Sequence, residues 1–221
     1  MKILRYTAIL LLSATAAHAQ WTLQINDDLV SALDNSGTLV KASNLGDGTQ
    51  SAVTFSGITF DTDLSNVTQG TAPGDRSQSE IVYTGGDADI GSLLNTQFIA
   101  SSWSAPSNVV IALNGLSIGQ QYRMQVVLTP EWEWSGAGVT ATGGDTIWYD
   151  GTNALEEAVG THLFTADATS MTYTMDNTGD ADGSYHYISA YALHAVPEPS
   201  TTALVLGLAG VALVMVRRRR K

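Results

Sequence analysis

Between residues 20 and 196 the apolar and polar positions alternate with a period of two. Tyr122, Met124, Val126 and Leu128 alternate with Arg123, Gln125 and Thr129, and Met171, Tyr173 and Met175 alternate with Thr172 and Thr174. Successive side chains of a strand point to opposite faces, so this pattern predicts strands with one face in a core and the other in water. Further strands are predicted over 21–25, 38–42, 52–60 with a break at Ser56-Gly57, 80–84, 109–113, 146–149, 159–165 and 185–194. Clusters of Gly, Asn, Asp and Pro separate them, at 44–48, 73–75, 85–86, Asn114-Gly115, 143–145, Asp150-Gly151 and 176–183, where these residues supply turn geometry. Only 87–97 reads as a helix within this region. About ten short strands spaced by such turns predict an all-β fold, an antiparallel β-sandwich or jelly roll. No period of propeller or solenoid length is present.

The two ends break the alternation. Residues 1–19 carry Lys2 and Arg5, then a mostly apolar run over 6–17, then Ala17-His18-Ala19. This order is that of a signal peptide with a small-x-small cleavage site, so signal peptidase is an expected partner and the mature chain is expected to begin at Gln20. The other end reads Pro197-Glu198-Pro199, an apolar run over 203–216, then Arg217-Arg218-Arg219-Arg220-Lys221. Fourteen residues make a helix of about 21 Å, against a hydrocarbon thickness near 30 Å. Residues 200–202 and a snorkelling Arg217 narrow that gap, and a short span suits a segment meant for processing. No polar face interrupts the run, which favours a transmembrane helix over a core helix. Basic residues beside a span stay on the cytoplasmic side, so residues 20–196 are expected outside the membrane with the carboxy terminus cytoplasmic.

Composition narrows the partners. Residues 20–196 hold 177 positions, a length for one domain with its own core. Their only cations are Lys41, Arg76 and Arg123, against twenty carboxylates, a formal balance of −17 that the whole-chain value of −11 conceals. Such a field disfavours nucleic acid and anionic headgroups. Cysteine is absent, which removes disulfides, thiolate chemistry and cysteine-based zinc sites.

The tail resembles the PEP-CTERM sorting signal on the residues Pro197, Glu198 and Pro199, the apolar segment and the Arg-rich end. That resemblance implies recognition by a membrane-embedded exosortase, cleavage near the Pro-Glu-Pro motif, and delivery of the domain to the cell surface or extracellular matrix. Separately, Pro199 fixes φ and removes an amide donor, so residues 196–199 are expected to be extended and accessible, with Ser200 or Thr201 capping the helix. Within the domain, the run from Val109 to Gln125 containing Asn114-Gly115-Leu116, Gly119 and Tyr122 resembles strand pairs of galactose-binding-like jelly-roll domains. Phe164-Thr165-Ala166-Asp167 with the following strand, the last strand 188–194, and Ser56-Gly57-Ile58-Thr59-Phe60 are similar to other strands of that group. The resemblance implies an architecture more than an activity, since such folds host many functions.

Candidate chemistry is sparse. Glu131-Trp132-Glu133-Trp134 offers two carboxylates and two indoles, but residues two apart on a strand share a face, so the acids and the tryptophans would point opposite ways. A glycosidase needs two carboxyls across a bond, normally from different elements. Trp132 and Trp134 are therefore candidate glycan-stacking residues, with core packing as the competing reading. The loop Asp176-Asn177-Thr178-Gly179-Asp180-Ala181-Asp182-Gly183 has the oxygen ligands calcium prefers, yet it does not register with an EF-hand; Asp61 with Asp63 and Asp87 with Asp89 are looser pairs, and turn-forming Asp is the competing reading. Calcium is thus a candidate cofactor without an assigned metal ligand. His162, His186 and His194 lack ligand spacing. Neither a nucleophile-elbow serine nor a phosphate-binding glycine loop is expected. These features predict an exported envelope or matrix protein without catalytic residues that binds polysaccharide; the alternative is a secreted carbohydrate-active enzyme.

Overall fold

The computed structural model describes residues 20–25, 29–45, 51–69, 98–99, 101–102, 105–106, 109–128, 136–144, 146–150, 158–175 and 187–197. In chain order these form β1 (Gln20–Ile25), a one-turn helix α1 (Leu29–Ala32), β2 (Thr38–Asn44), β3 (Val53–Phe55), β4 (Ile58–Phe60) and β5 (Val67–Gln69). Three two-residue strands follow, β6 (Phe98–Ile99), β7 (Ser101–Ser102) and β8 (Ala105–Pro106), then β9 (Val109–Asn114), β10 (Gln121–Leu128) and β11 (Gly136–Ala141). The last four are β12 (Thr146–Asp150), β13 (Ala158–Thr165), β14 (Ser170–Met175) and β15 (Tyr187–Ala195).

Two antiparallel sheets face each other. One runs β1-β13-β10-β15-β2, with β6 also paired to β15; the other runs β12-β11-β14-β9-β5. Alternation along β10 places Tyr122, Met124, Val126 and Leu128 on the inner face, where they join Ile111, Leu113, Val139, Ala141, Ile147 and Tyr173 of the second sheet in one buried cluster. The sandwich predicted from period-two patterning is the observed architecture. Gly160 belongs to that packing, because a Cβ there would lie 3.0 Å from Val126 Cγ2 and 3.4 Å from the Trp21 ring. A bare backbone lets the indole of edge strand β1 reach over the core.

The other face of the first sheet departs from expectation. Arg123 and Gln125 are placed in water by the alternation, yet both are buried, and Val127 beside them is fully enclosed. A second apolar layer covers them: Ala32 and Leu33 from the helix and its exit, and Phe55, Ile58 and Phe60 from the β3–β4 hairpin, packed on Ala42, Val127, Val159, Ala190 and Ala192. Alanines at three of these sheet positions, Ala42, Ala190 and Ala192, leave room for the hairpin's phenylalanines in the same cluster. The hairpin closes at Ser56-Gly57, where φ of 50° and 76° gives the two left-handed residues of a tight hairpin turn.

Strand β11 is absent from the sequence reading because Gly136, Gly138 and Ala137 give no alternation; its neighbours β12 and β14 define it by pairing on both sides. The short strand β5 is likewise made by its pairing with β9. The strand predicted at 80–84, the helix at 87–97 and the carboxy-terminal transmembrane helix lie outside the described residues.

The register gives the sandwich two distinct ends. Gln121 pairs with Thr165, Tyr122 with Ala195, Thr38 with Ala195, and Gln20 with Leu163. The start of β1, the start of β2, the turn before β10 and the exit of β15 therefore share one end. At the opposite end Leu128 pairs with Ala158 and Ile188, Met175 with Val109, and Gly136 with Asp150.

Candidate functional site

The chain leaves the sandwich at Val196, one residue past β15, and its exit is built by three separate contacts. Val196 donates its amide to Gln121 O at 2.9 Å, extending the β10–β15 ladder by one step. Gln120 Nε2 donates to Val196 O at 2.7 Å and to its neighbour Gln121 O at 2.9 Å. From the other side Gly37, with φ of 99°, approaches so closely that a Cβ would lie 2.5 Å from Ala195 O. Pro197 follows, exposed. Proline has no amide to continue the ladder and restricts the residue before it to extended geometry, so the sheet stops where the Pro-Glu-Pro motif starts.

The loop bearing Gly37 is held by Arg123. Its guanidinium pairs with the Asp34 carboxylate and donates to Ser36 Oγ at 3.2 Å, to Asp34 O at 2.9 Å and to Ser36 O. A planar fork with five donors in fixed directions can serve a carboxylate, a hydroxyl and two carbonyls spread along one loop, four acceptors against the three donors of an ammonium. Ser36 N in turn donates to Asp34 Oδ1 at 2.8 Å. Partial burial pushes the Asp34 carboxyl upward, but the hydrogen bonds from Ser36 and the Arg123 charge outweigh it and hold Asp34 below the usual carboxylate range. His194, paired with Arg123 across the ladder, is buried; desolvation and the Arg123 charge lower its pKa, with Asp34 acting the other way.

Two other polar clusters sit near opposite edges of the sandwich. Near the β2 edge, Ser43 Oγ contacts Asp61 Oδ1 at 3.1 Å, Asp63 O at 3.0 Å and Tyr191 OH at 3.3 Å, and Asn66 bonds the same phenol at 2.7 Å. Lys41 Nζ lies 2.8 Å from Asp63 Oδ2 and holds that carboxyl well below the usual range. Asp61 and Asp63, paired loosely in the sequence as calcium candidates, are thus engaged by a hydroxyl and an ammonium. Asp61 Oδ1 and Asp63 Oδ1 also accept the amides of Asp63 and Ser65, each at 2.9 Å, the turn role of short acids. Near the β1 edge, His162 Nδ1 lies 2.9 Å from Tyr173 OH, and the imidazole stacks between Trp21 and Phe164 with centroids 4.7 and 5.4 Å away. Burial raises the Tyr173 phenol far above its ordinary pKa. His162 is a buried core residue.

Among the described residues no group of three His, Cys, Asp or Glu could hold a metal. Contrary to expectation, the spacing Gly-x-Ser-x-Gly does occur, at Gly115-Leu116-Ser117-Ile118-Gly119. It forms the turn between β9 and β10, with Ser117 N donating to Tyr122 OH at 2.9 Å. A nucleophile elbow needs a strand-to-helix bend, and here the chain passes from strand to strand. Of the sorting residues, Pro197 is described; Glu198, Pro199, Arg217, Arg218, Arg219, Arg220 and Lys221 lie outside the described residues, as do Trp132, Trp134, His186 and the loop 176–183. Sequence reading missed Gln120, Gly37 and the Arg123–Asp34 pair; only the isolation of Arg123 as one of three cations among 177 residues signalled that it has a particular partner.

Residues 195–221 match the PEP-CTERM protein-sorting motif, so the chain carries that signal, which marks an exported protein and implies exosortase processing. No curated protein matches the sequence. Among solved structures, the chain is similar to Bacteroides uniformis beta-glucuronidase 2, with 16% identity and a TM-score of 0.44 over 71% of this chain and 18% of that one. It is also similar to the CBM22-1 xylan-binding domain from Paenibacillus barcinonensis, with 14% identity and a TM-score of 0.35 over 74% of this chain and 98% of that one. A third is an exo-beta-1,3-galactanase from Phanerochaete chrysosporium, with 11% identity and a TM-score of 0.33 over 63% and 31%. The chain thus spans less than a third of either enzyme it resembles.

Proposed function

We propose that this chain is a non-catalytic envelope or extracellular-matrix protein whose sandwich, of the galactose-binding-like jelly-roll kind, is carried out of the cell and presented there after its tail is processed. One observation carries the reading: the sorting motif begins at Ala195, the last residue of β15, so the signal starts where the folded domain ends. Before processing, residues 203–216 anchor the precursor with its basic end in the cytoplasm, and signal peptidase has removed residues 1–19. Support for a non-catalytic role comes from the engaged carboxylates: Asp34 with Arg123, Asp61 with Ser43 and Asp63 with Lys41. Trp132 and Trp134 offer a stacking platform for polysaccharide, and calcium is the candidate cofactor for the acidic loop 176–183.

Mass spectrometry of the protein from its native host tests the routing. The expected carboxy terminus lies near Pro197-Glu198-Pro199; an intact Lys221 on the mature protein refutes it. Glycan-array binding by residues 20–196, with and without calcium, tests the ligand class. Binding that Trp132→Ala or Trp134→Ala weakens supports polysaccharide recognition, silence on every glycan leaves a structural role, and glycan hydrolysis establishes the enzyme instead.

A further inference from the structure

We propose that Asn114, the last residue of β9, is a self-modification site: in the folded protein its side chain closes a succinimide with Gly115, and water opens that ring to an aspartyl or isoaspartyl residue.

The step joins two neighbours in the chain. The backbone nitrogen of Gly115 gives up its proton and attacks Cγ of Asn114, so that a C–N bond and a five-membered ring form. The bond from Cγ to the amide nitrogen breaks, and ammonia leaves with the proton. Water then adds to one of the two ring carbonyls. Opening on one side leaves aspartate at position 114, and opening on the other leaves isoaspartate, in which the backbone runs through Cβ. The attack needs a nitrogen unhindered by a side chain, a nitrogen not already serving as a hydrogen-bond donor, and an unengaged carboxamide.

Residue type meets the first need. Asn114-Gly115 is the one Asn-Gly pair among the nine asparagines of the chain, and glycine sets no Cβ beside the attacking nitrogen. Gly115 has φ of 77°, and a Cβ built on it would meet no heavy atom within 4 Å. Both residues are exposed, so water reaches the ring from outside.

Hydrogen bonding meets the other two, and it separates Asn114 from the other described asparagines. After Asn35, Asn44 and Asn66 the next backbone nitrogen is already a donor: Ser36 N to Asp34 Oδ1 at 2.8 Å, Leu45 N to Ser189 O at 2.8 Å and Val67 N to Leu64 O at 2.9 Å. Asn35 Nδ2 donates to Ser56 O at 2.8 Å, Asn66 Nδ2 donates to Tyr191 OH at 2.7 Å, and Asn44 is buried. Among the described residues neither Gly115 N nor the Asn114 carboxamide has a partner.

Strand geometry explains the difference. Ala112 donates to Asn66 O, on the side of β9 away from β14. In an antiparallel ladder alternate residues direct their N–H and C=O the same way, so Asn114 turns its own to that side too. There β5, which begins at Val67 opposite Ile111, does not reach. One residue further on, Leu116 N donates to Thr169 O at 3.0 Å and fastens the turn again. The peptide between Asn114 and Gly115 is thus a free unit between anchored ones, and it can swing until the nitrogen meets Cγ without breaking a ladder.

The full chain in detergent micelles, incubated at mildly alkaline pH, provides the test. Mass spectrometry follows replacement of the amide by a hydroxyl at each asparagine, and isoaspartyl methyltransferase labels the isomer. Conversion at Asn114 is expected to run at least tenfold faster than at Asn35, Asn44 or Asn66, and within threefold of its own rate in the same chain unfolded in urea. Asn114→Gln, which cannot close the five-membered ring, should remove the label while leaving the far-ultraviolet circular dichroism unchanged. Conversion that falls short of either rate, or a label that persists undiminished in Asn114→Gln, overturns the inference.

Discussion

The two faces of the sheet β1-β13-β10-β15-β2 bury their residues by different means. The inner face meets a second sheet, and large apolar side chains from both interdigitate around Met124, Val126 and Tyr173. The outer face meets a helical turn and a hairpin, and it mixes small alanines with Arg123, Gln125 and His194. Gln125 reaches Ala32 O at 3.2 Å and Thr161 Oγ1 at 3.4 Å, so backbone carbonyls of the covering segment serve as partners for the sheet's polar side chains. The inner face is held mainly by area and shape, with the His162–Tyr173 bond inside it; on the outer face hydrogen bonds fix which loop covers it. That loop carries Gly37 against Ala195, so the outer face also shapes the exit of the tail.

If the covering layer is true core, Phe60→Ala should cost about 3–5 kcal/mol, as for a phenylalanine lost from any well-packed interior. Denaturant unfolding of residues 20–196 measures it, and a loss below about 1 kcal/mol would show the hairpin to be a loose flap. Arg123→Met removes the fork that holds the loop; hydrogen bonds to a charged donor contribute about 1.5–3 kcal/mol. Because the Asp34 side chain is 52% exposed, the ion pair itself adds less than about 1 kcal/mol. Hydrogen exchange should speed up at residues 34–38 in this variant while β13 and β14 stay protected; uniform acceleration would contradict the local clamp. On the inner face Tyr173→Phe deletes the bond to His162 and should cost about 1–2 kcal/mol, with the Trp21 stack retained in near-ultraviolet circular dichroism.

The smallest expected effect is with pH, and it belongs to the outer face. The folded pKa of His194 lies below its ordinary 6.5, so as pH falls through that value the unfolded chain binds more protons than the folded one. The stability gained by keeping His194 neutral is therefore complete above pH 6.5 and declines on acidification towards the folded pKa. Asp34, held below 3.8, acts in the same sense at lower pH. The melting temperature should drop between pH 7.5 and 5.5, and His194→Gln should flatten that drop; an unchanged slope would remove His194 as its origin.

Alternation made the inner face legible residue by residue, since each strand's apolar set is local information. The outer face was misread at Arg123 and Gln125 because polar residues in alternation signal solvent only when nothing lies over them, and the cover comes from residues 32–60, far away in the sequence. Strand β11 was invisible for a related reason: Gly136 and Gly138 give no pattern, and hydrogen bonds from β12 and β14 supply the order. Turn chemistry was well marked, as Gly57 and Gly143-Gly144 show, because glycine alone takes positive φ without a Cβ penalty.

By itself the sequence determined the strand-rich fold, the inner core, the sorting signal that starts at Pro197 and the absence of thiol chemistry, all of which depend on residue type and short-range order. Only the tertiary structure decided that Arg123 grips the loop at Asp34 and Ser36, that Gln120 fastens Val196, and that the chain leaves the sandwich from a central strand. Those outcomes depend on which distant segments pair, and pairing is settled by the packing of whole sheets, where burying one face removes the freedom of everything attached to the other.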